Sequence, residues 1–198
     1  MMGGTINIMY LQDDKIEKDV LRQGDIIIGT QIIGALNLKE ITYITNNEGE
    51  RLSWAVPVEP KFQEAIVLSH SCEIDLANEI KVTSIILSPL RDVNKATEPQ
   101  YIEEVKRTNI ITSDSTESFL KYFYLPPHPS IPYSDGCIVD FSKCYSVRNK
   151  SYDLLLQNKK AQLEESYSDK LALKLALYFY RTQHMKELIR NVAKLSPI

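Results

Sequence analysis

Strand-like and helix-like patterns are separated along this chain, and this separation constrains its fold more than any other feature. Up to residue 150 the chain holds short apolar runs, and the first of them is an Ile run that follows the turn signal Gly24-Asp25. From Tyr152 onward the period changes to helical. Strands followed by helices indicate an α+β fold with segregated elements. We therefore expect a small, strongly bent β-barrel with C-terminal helices.

Further runs before residue 150 predict the other strands of this barrel. They are rich in β-branched or aromatic residues and are flanked by turn residues, at 41–45, 51–58, 65–69, 82–90, 136–141 and 144–147. The first two flank an Asn- and Gly-rich turn at 46–50 and predict a β-hairpin. Residues 119–125 fit a strand or a helix, and 97–107 predict a short surface helix with Thr97 near its start.

Two further segments predict loops. Residues 112–118 are small and polar, and residues 126–136 hold four of the nine prolines, so both are expected to be irregular. Irregular loops on a rigid scaffold often carry functional sites. The proline-rich segment is therefore a candidate functional loop, although a simple connector is the interpretation that we favour.

The C-terminal part predicts helices and an assembly surface. Ser168 precedes a strongly apolar helical segment and is expected to cap it. Apolar residues such as Leu173 and Leu177 occupy nearly every face of that helix, so it needs a second covering surface. The amphipathic segment 184–195 supplies part of this cover. We expect a homodimer, or a heteromeric protein partner bound at this helix, to supply the rest.

Length and composition are those of an ordinary globular protein. With 198 residues, the chain is expected to form a single domain over 1–198. Its barrel core would span 21–150 with a helix and loop inserted around 92–135, and 152–198 would be the helical segment. The net charge of −3 argues against a strongly basic nucleic-acid-binding domain. Charge pairs such as Lys159-Lys160 are interpreted as ordinary surface charge.

The expected location is the cytoplasm. The N-terminus lacks the pattern of a signal peptide, and the longest apolar stretch is too short to span a bilayer. Three cysteines without CxxC spacing do not suggest a disulfide framework, so reduced thiols are expected.

Four motifs, in this order, resemble those of the MazF/PemK-like toxin family. They are Gly24-Asp25-Ile26-Ile27, the segment from Gln63 to Ser69, Ser88-Pro89-Leu90-Arg91, and the segment from Ile138 to Arg148. The resemblance covers roughly residues 21–181. It implies an SH3-like barrel, and it also favours a dimer because the family is typically dimeric.

The resemblance has a specific consequence for activity. Members of the family cut RNA without a metal, by attack of the 2′-hydroxyl on the neighbouring phosphate. Gln63 and Arg91 stand where the family has an important Arg and Thr, and Gln63 cannot supply a fixed positive charge. We therefore predict a degenerate barrel that acts as a binding or regulatory module. It would bind a protein or RNA partner without cleaving it, in a bacterial toxin–antitoxin or defence setting. The alternative is a metal-independent endoribonuclease with a rearranged site built from Arg91, His70 and Asp140.

The densest polar cluster follows the predicted strand 65–69. His70 and Cys72 are two positions apart and would face the same side of an extended chain. A cysteine beside a histidine is an activated nucleophile, so Cys72 is a second catalytic candidate. A buried structural cysteine beside a surface histidine is the interpretation that we favour.

Metal and cofactor sites are not predicted. Zinc would accept the soft ligands His70, Cys72, His128, Cys137 and Cys144, but they lack a recognised zinc spacing. The sequence also lacks a Walker A motif and a dinucleotide-binding glycine pattern.

Overall fold

The computed structural model describes residues 9–36, 42–55, 58–74, 83–107, 109 and 120–180. Its strands are β1 (Asp25–Leu36), β2 (Thr42–Thr45), β3 (Arg51–Ala55), β4 (Val58–Val67), β5 (Ser84–Asp92), β6 (Tyr122–Leu125), β7 (Cys137–Asp140), β8 (Tyr145–Arg148) and β9 (Lys159–Gln162). Its helices are α1 (Ser71–Ile74), α2 (Val93–Ala96), α3 (Ile102–Arg107), α4 (Tyr152–Gln157) and α5 (Glu165–Phe179). Short 3-10 turns occupy Pro99–Tyr101, Phe141–Lys143 and Asn149–Ser151.

The chain divides into a larger unit, residues 1–28 with 64–198, and a smaller unit, residues 29–63. The main sheet has the strand order β6-β7-β5-β4-β1-β9, with β8 also paired to β5. It is an antiparallel sheet that curls strongly into a half-barrel. The predicted α+β class is therefore confirmed, while an SH3-like barrel stays a prediction.

Parts of β1, β4 and β7 are buried on both faces of the main sheet, which explains why Ile26–Ile27, Ala65–Val67 and Cys137–Val139 are apolar without alternation. In β1, Ile26 belongs to one core cluster with Phe123 and with Leu171 of α5. The next residue, Ile27, belongs to a second cluster with Ile74 of α1 and Leu155 of α4. Because successive side chains of a strand point to opposite faces, helices cover the sheet on both sides.

β7 and β8 lie along the same edge of β5 with an interruption between them. Val139 pairs with Leu90, and Tyr145 pairs with Leu87, so the five residues 140–144 lie opposite the two residues 88–89. The extra residues form a 3-10 turn, and the Asp140 side chain accepts a hydrogen bond from the Ser142 backbone N–H at 3.0 Å. This interruption positions Asp140 at the end of β7.

The segment after Tyr152 differs from the prediction of helices alone. After α4 the chain returns as β9, which pairs antiparallel with β1 so that Gln162 lies opposite Asp25. Only the four residues Lys159–Gln162 form this strand, which is too short to interrupt a helical period visibly. The main sheet therefore gains an edge strand from a segment that the sequence pattern assigned to helices.

The predicted cap of α5 is also wrong. The helix begins at Glu165, and the carboxylate of Glu164 accepts the Ser166 backbone N–H at 3.0 Å. Ser168 therefore lies inside the helix, where its hydroxyl donates to the Gln23 carbonyl oxygen at 2.9 Å. A carboxylate is an effective cap, and here it starts the helix one turn earlier than the apolar pattern suggested.

The remaining predictions of helices, strands and loops have mixed outcomes. Thr97 ends α2 instead of starting a helix, and the helical segment that follows begins at Pro99. The ambiguous 119–125 segment contains β6. Residues 126–136 have neither strand nor helix, as predicted. The predicted loop 112–118 and the predicted helix 184–195 lie outside the described residues.

The smaller unit contains the predicted hairpin. β2 and β3 pair antiparallel, with Tyr43 opposite Trp54. The Asn46 side chain accepts the backbone N–H groups of Glu48 and Glu50 at 3.0 and 2.9 Å and so closes the turn. Gly49 has a φ of 81°, a conformation that favours glycine. The hairpin prediction is therefore confirmed.

Candidate functional site

The His70–Cys72 pair lies directly after β4, on a segment tied to two neighbours. Ser69 is buried, and its hydroxyl accepts the Ile86 backbone N–H of β5 at 2.8 Å. Ser71 accepts the backbone N–H of Gln23 at 3.0 Å, and the Gln23 side chain donates to the Leu68 carbonyl oxygen at 2.7 Å. The residues on both sides of His70 are therefore held by hydrogen bonds.

Both side chains of this pair are exposed and in contact with each other. Nδ1 of His70 lies 2.9 Å from Sγ of Cys72, and the Cys72 backbone N–H donates to the same Nδ1 at 3.3 Å. An amide N–H can only donate, so Nδ1 acts as an acceptor in this contact. The structure thus places the thiol beside a nitrogen that can take its proton. The expectation that Cys72 is buried is wrong, because α1 turns its side chain outward.

Arg91 and Asp140 form the second pair of predicted site residues. Nη1 of Arg91 lies 3.2 Å from Oδ2 of Asp140. The Asp140 side chain is only 3% exposed, whereas that of Arg91 is 40% exposed. The other carboxylate oxygen accepts the hydroxyl of Ser142 at 2.6 Å as well as its backbone N–H. The carboxylate is therefore paired on both oxygens.

The two pairs are anchored at different positions on β5. The His70 segment is tied to Ile86 through Ser69, whereas Arg91 lies five residues further along the same strand. Five residues of a straight strand would span at most about 16 Å. The Ser88 hydroxyl, which lies between the two anchor points, donates to the Asp140 carbonyl oxygen at 3.1 Å. Arg91 contacts Asp140, and His70 contacts Cys72, so these residues form two local pairs of contacts.

A cleft of about 530 Å³ adjoins the His70–Cys72 pair. The N-terminal arm of residues 11–23, the segment 70–71 and the start of α5 form its walls, and His70 is part of the lining. Its formally charged lining groups are Lys15, Arg22, Glu17, Glu164, Glu165 and Asp169. Four carboxylates against two cations give this cleft a net negative charge.

The charged groups of the cleft were missed by sequence reasoning. Arg22 and Glu17 form an ion pair of 2.9 Å, and the hydrogen bond from Arg22 is the largest cause that lowers the pKa of Glu17. Glu165 and Asp169 are exposed in the first turns of α5. The arm and α5 are far apart in sequence, so spacing along the chain gave no signal that they share a wall.

A buried ion pair supports the same arm. Lys159 of β9 lies 2.8 Å from Asp25, and both side chains are nearly inaccessible, at 2% and 0% exposure. Lys159 also donates to the carbonyl oxygens of Glu17 and Val20. Burial raises the pKa of Asp25 to about 6, although the Lys159 ammonium opposes this shift. The interpretation of Lys159 as surface charge is therefore wrong.

The remaining candidate ligands are dispersed. Cys137 is buried, and burial raises its pKa to about 12. Burial also raises the pKa of Cys144 to about 11, and its thiol donates to the Phe141 carbonyl oxygen at 3.1 Å. His128 packs against Tyr10 with the two rings tilted by 54° and their centroids 4.6 Å apart. Among the described residues, no three His, Cys, Asp or Glu side chains are grouped so that they could hold a metal.

Comparison with known proteins adds no assignment. The chain matches no protein-family model and no curated protein. Within the part of the chain that the structure describes, no helix is long and apolar enough to cross a membrane.

Proposed function

We propose that this chain is a non-catalytic binding or regulatory module built on a degenerate MazF/PemK-like barrel, and that its partner is a protein. The observation that carries the proposal is that the Arg91 guanidinium contacts Asp140, whereas His70 contacts Cys72. Metal-independent RNA cleavage needs a base, an acid and a stabilising cation around one phosphate. Two separate pairs do not provide this arrangement.

The charge of Arg91 supports the same proposal. Its guanidinium faces the nearly buried carboxylate of Asp140, which neutralises much of the field that a phosphate would meet. Phosphate contacts dominate affinity for RNA, and the net charge of −3 works against them. The cleft beside His70 is itself acidic. RNA is therefore the weaker candidate partner.

Exposed apolar side chains favour a protein partner. In the smaller unit, Tyr43, Ile44 and Phe62 are 46%, 53% and 67% exposed. In the larger unit, Phe179 and Tyr180 are both 64% exposed, at and just beyond the end of α5. Exposed apolar side chains that lie next to one another, such as Phe179 and Tyr180, favour a surface that becomes covered on association. Self-association through α5, or a heteromeric partner there, is part of the proposal.

RNA cleavage tests the non-catalytic part of the proposal. The purified chain is incubated with single-stranded and structured RNAs, and the product ends are analysed. We expect no cleavage above background and no growth arrest when the chain is expressed. Arg91→Ala and Arg148→Ala are run in parallel, because Arg148 is an exposed arginine outside both pairs.

Cleavage that leaves cyclic phosphate ends, is lost in Arg91→Ala and is retained in Arg148→Ala would establish the endoribonuclease alternative. Cleavage that survives both substitutions and stays with the chain on repurification would also contradict the non-catalytic proposal, whereas cleavage lost on repurification belongs to a contaminating nuclease. The neighbouring gene is a second observation. A small acidic antitoxin-like product would favour the endoribonuclease.

A further inference from the structure

The His70–Cys72 pair has the parts of an activated thiol. The amide N–H of Cys72 donates to Nδ1 of His70, so a neutral imidazole carries its proton on Nε2 and leaves Nδ1 as the acceptor. The thiol lies 2.9 Å from that acceptor, within reach for proton transfer. A thiolate formed in this way is the nucleophilic form of cysteine.

The segment that carries the pair is fixed, which keeps thiol and base in register. The Leu68 backbone N–H donates to the Ile86 carbonyl oxygen at 2.9 Å, and Ile74 of α1 is fully buried. The Glu73 backbone N–H donates to the His70 carbonyl oxygen at 3.0 Å. An exposed pair on a fixed turn is accessible to a dissolved reagent without any opening of the fold.

The adjoining cleft selects the reagent. His70 and Ser71 line it, and its carboxylates outnumber its cations by four to two. A cleft with excess negative charge raises the local concentration of cations. The two sulfur atoms of a small disulfide present an electrophile to a thiolate, and a disulfide bearing ammonium groups fits the charge of this cleft.

We infer that Cys72, with His70 as its base, is a nucleophilic thiol that undergoes exchange with small cationic disulfides in the adjoining cleft. His70 takes the thiol proton, and the thiolate attacks one sulfur of the disulfide. The new bond joins Cys72 to that sulfur as the old sulfur–sulfur bond breaks, and the departing thiolate takes the proton from His70. The inference does not depend on the proposed protein-binding role.

The experiment compares two disulfides of similar size and opposite charge. Cystamine carries two ammonium groups, and 3,3′-dithiodipropionate carries two carboxylates. The rate of mixed-disulfide formation at pH 7 is followed by mass spectrometry with peptide mapping. Each rate is divided by the rate of the same reagent with N-acetylcysteine amide. We expect Cys72 to exceed this reference about tenfold with cystamine, and to prefer cystamine about threefold.

Matched variants separate the thiol, its base and the cleft. Cys72→Ser abolishes labelling, and His70→Gln lowers the rate about tenfold with both reagents. The double variant Glu165→Gln and Asp169→Asn removes the preference for cystamine while the labelling of Cys72 by 3,3′-dithiodipropionate is not slowed. These residues are exposed, so circular dichroism is expected to show unchanged folds. Cys137 and Cys144 serve as internal controls in the same digests.

Three results would overturn the inference. A normalised rate near one would show that Cys72 is an ordinary thiol. An unchanged rate of mixed-disulfide formation in His70→Gln would show that His70 does not act as the base. Equal normalised rates for the two disulfides would show that the cleft does not favour cationic disulfides. Negative RNA assays would leave all three measurements unaffected, so this inference and the proposed function can fail independently.

Discussion

The polar pairs anchored at different positions on β5 differ in what surrounds them. The Asp140 carboxylate is 3% exposed and bonded to Arg91 and Ser142. The His70 and Cys72 side chains are exposed and in contact with each other, and His70 lines a cleft. Both pairs consist of residue types that catalyse reactions in other proteins.

This comparison shows that burial decides whether such residues stabilise the fold or remain able to react. A buried carboxylate must keep its hydrogen bonds, because an unpaired charge in the interior is costly. The residues that bond to it therefore serve to stabilise the fold. An exposed pair has no such constraint and can react with a molecule from solution. The following predictions contrast buried and exposed positions.

The largest effect is expected on α5, where burial separates two leucines. Leu177 is 3% exposed and Leu173 is 36% exposed. Leu177→Lys places a charge in the core and should lower the free energy of unfolding by about 4 kcal/mol, measured by urea unfolding. Leu173→Lys should cost less than about 1 kcal/mol.

Light scattering on Leu173→Lys then tests self-association through α5, for which Leu177→Lys is unsuitable because it disturbs the core. A wild-type dimer that becomes a monomer in Leu173→Lys would support the proposed surface. A wild-type monomer at tens of micromolar would exclude a stable dimer.

The second contrast uses two aspartates. Asp140→Ala removes the acceptor of three hydrogen bonds and should lower the free energy of unfolding by about 3 kcal/mol, measured by thermal and urea unfolding. Asp135 is exposed, and Asp135→Ala should cost less than about 1 kcal/mol. Equal effects of the two substitutions would show that the Arg91–Asp140 pair does not stabilise the fold.

The third prediction concerns pH and the buried Asp25. Burial raises its pKa to about 6, so between about pH 4 and 6 the folded state holds its proton more tightly than the unfolded state does. The contribution of Asp25 to the free energy of unfolding is therefore fully present below this range and falls by about 2 kcal/mol as the pH rises through it.

Urea unfolding across this range measures the effect as the difference in slope between wild type and Asp25→Asn. Asp135→Asn, at an exposed position, should leave the wild-type slope unchanged. A wild-type slope that Asp25→Asn does not alter would show that this carboxyl titrates normally.

The smallest effect on stability is expected at the exposed pair. Cys72→Ser removes an exposed thiol and should change the free energy of unfolding by less than about 0.5 kcal/mol, measured by urea unfolding. Cys137→Ser places a hydroxyl in the core and should cost about 1–3 kcal/mol. A large loss of stability in Cys72→Ser would mean that the pair has a structural role.

Much of the fold could be predicted because the signals were local. The Ile run after Gly24-Asp25 is apolar on both faces, and the structure buries both. The hairpin was visible as two strand-like runs around an Asn- and Gly-rich turn. The four residues of β9 carry no such signal, because pairing with β1 rather than local propensity makes them a strand.

Only some of the residues of the candidate site could be predicted from the sequence, and their grouping could not. Two positions of separation suggested that His70 and Cys72 face the same side of an extended chain. The two side chains do touch, but Cys72 lies in α1, so the turn into this helix makes the contact and the extended conformation is wrong. Contact between Arg91 and Asp140 depends on the register of β5 against β7, which sequence spacing does not reveal. The cleft needed the arm, the end of β4 and the start of α5 to come together.

The sequence by itself determined the α+β class, the β2–β3 hairpin and the neighbouring His70–Cys72 pair. These features depend on turn residues, hydrophobic period and short spacing, all of which act between residues close in the chain. The tertiary structure decided that Lys159 is buried against Asp25, that Asp140 is committed to Arg91 and that His70 borders an acidic cleft. Burial and pairing across long sequence separations set the environment of a charge, and local sequence does not encode that environment.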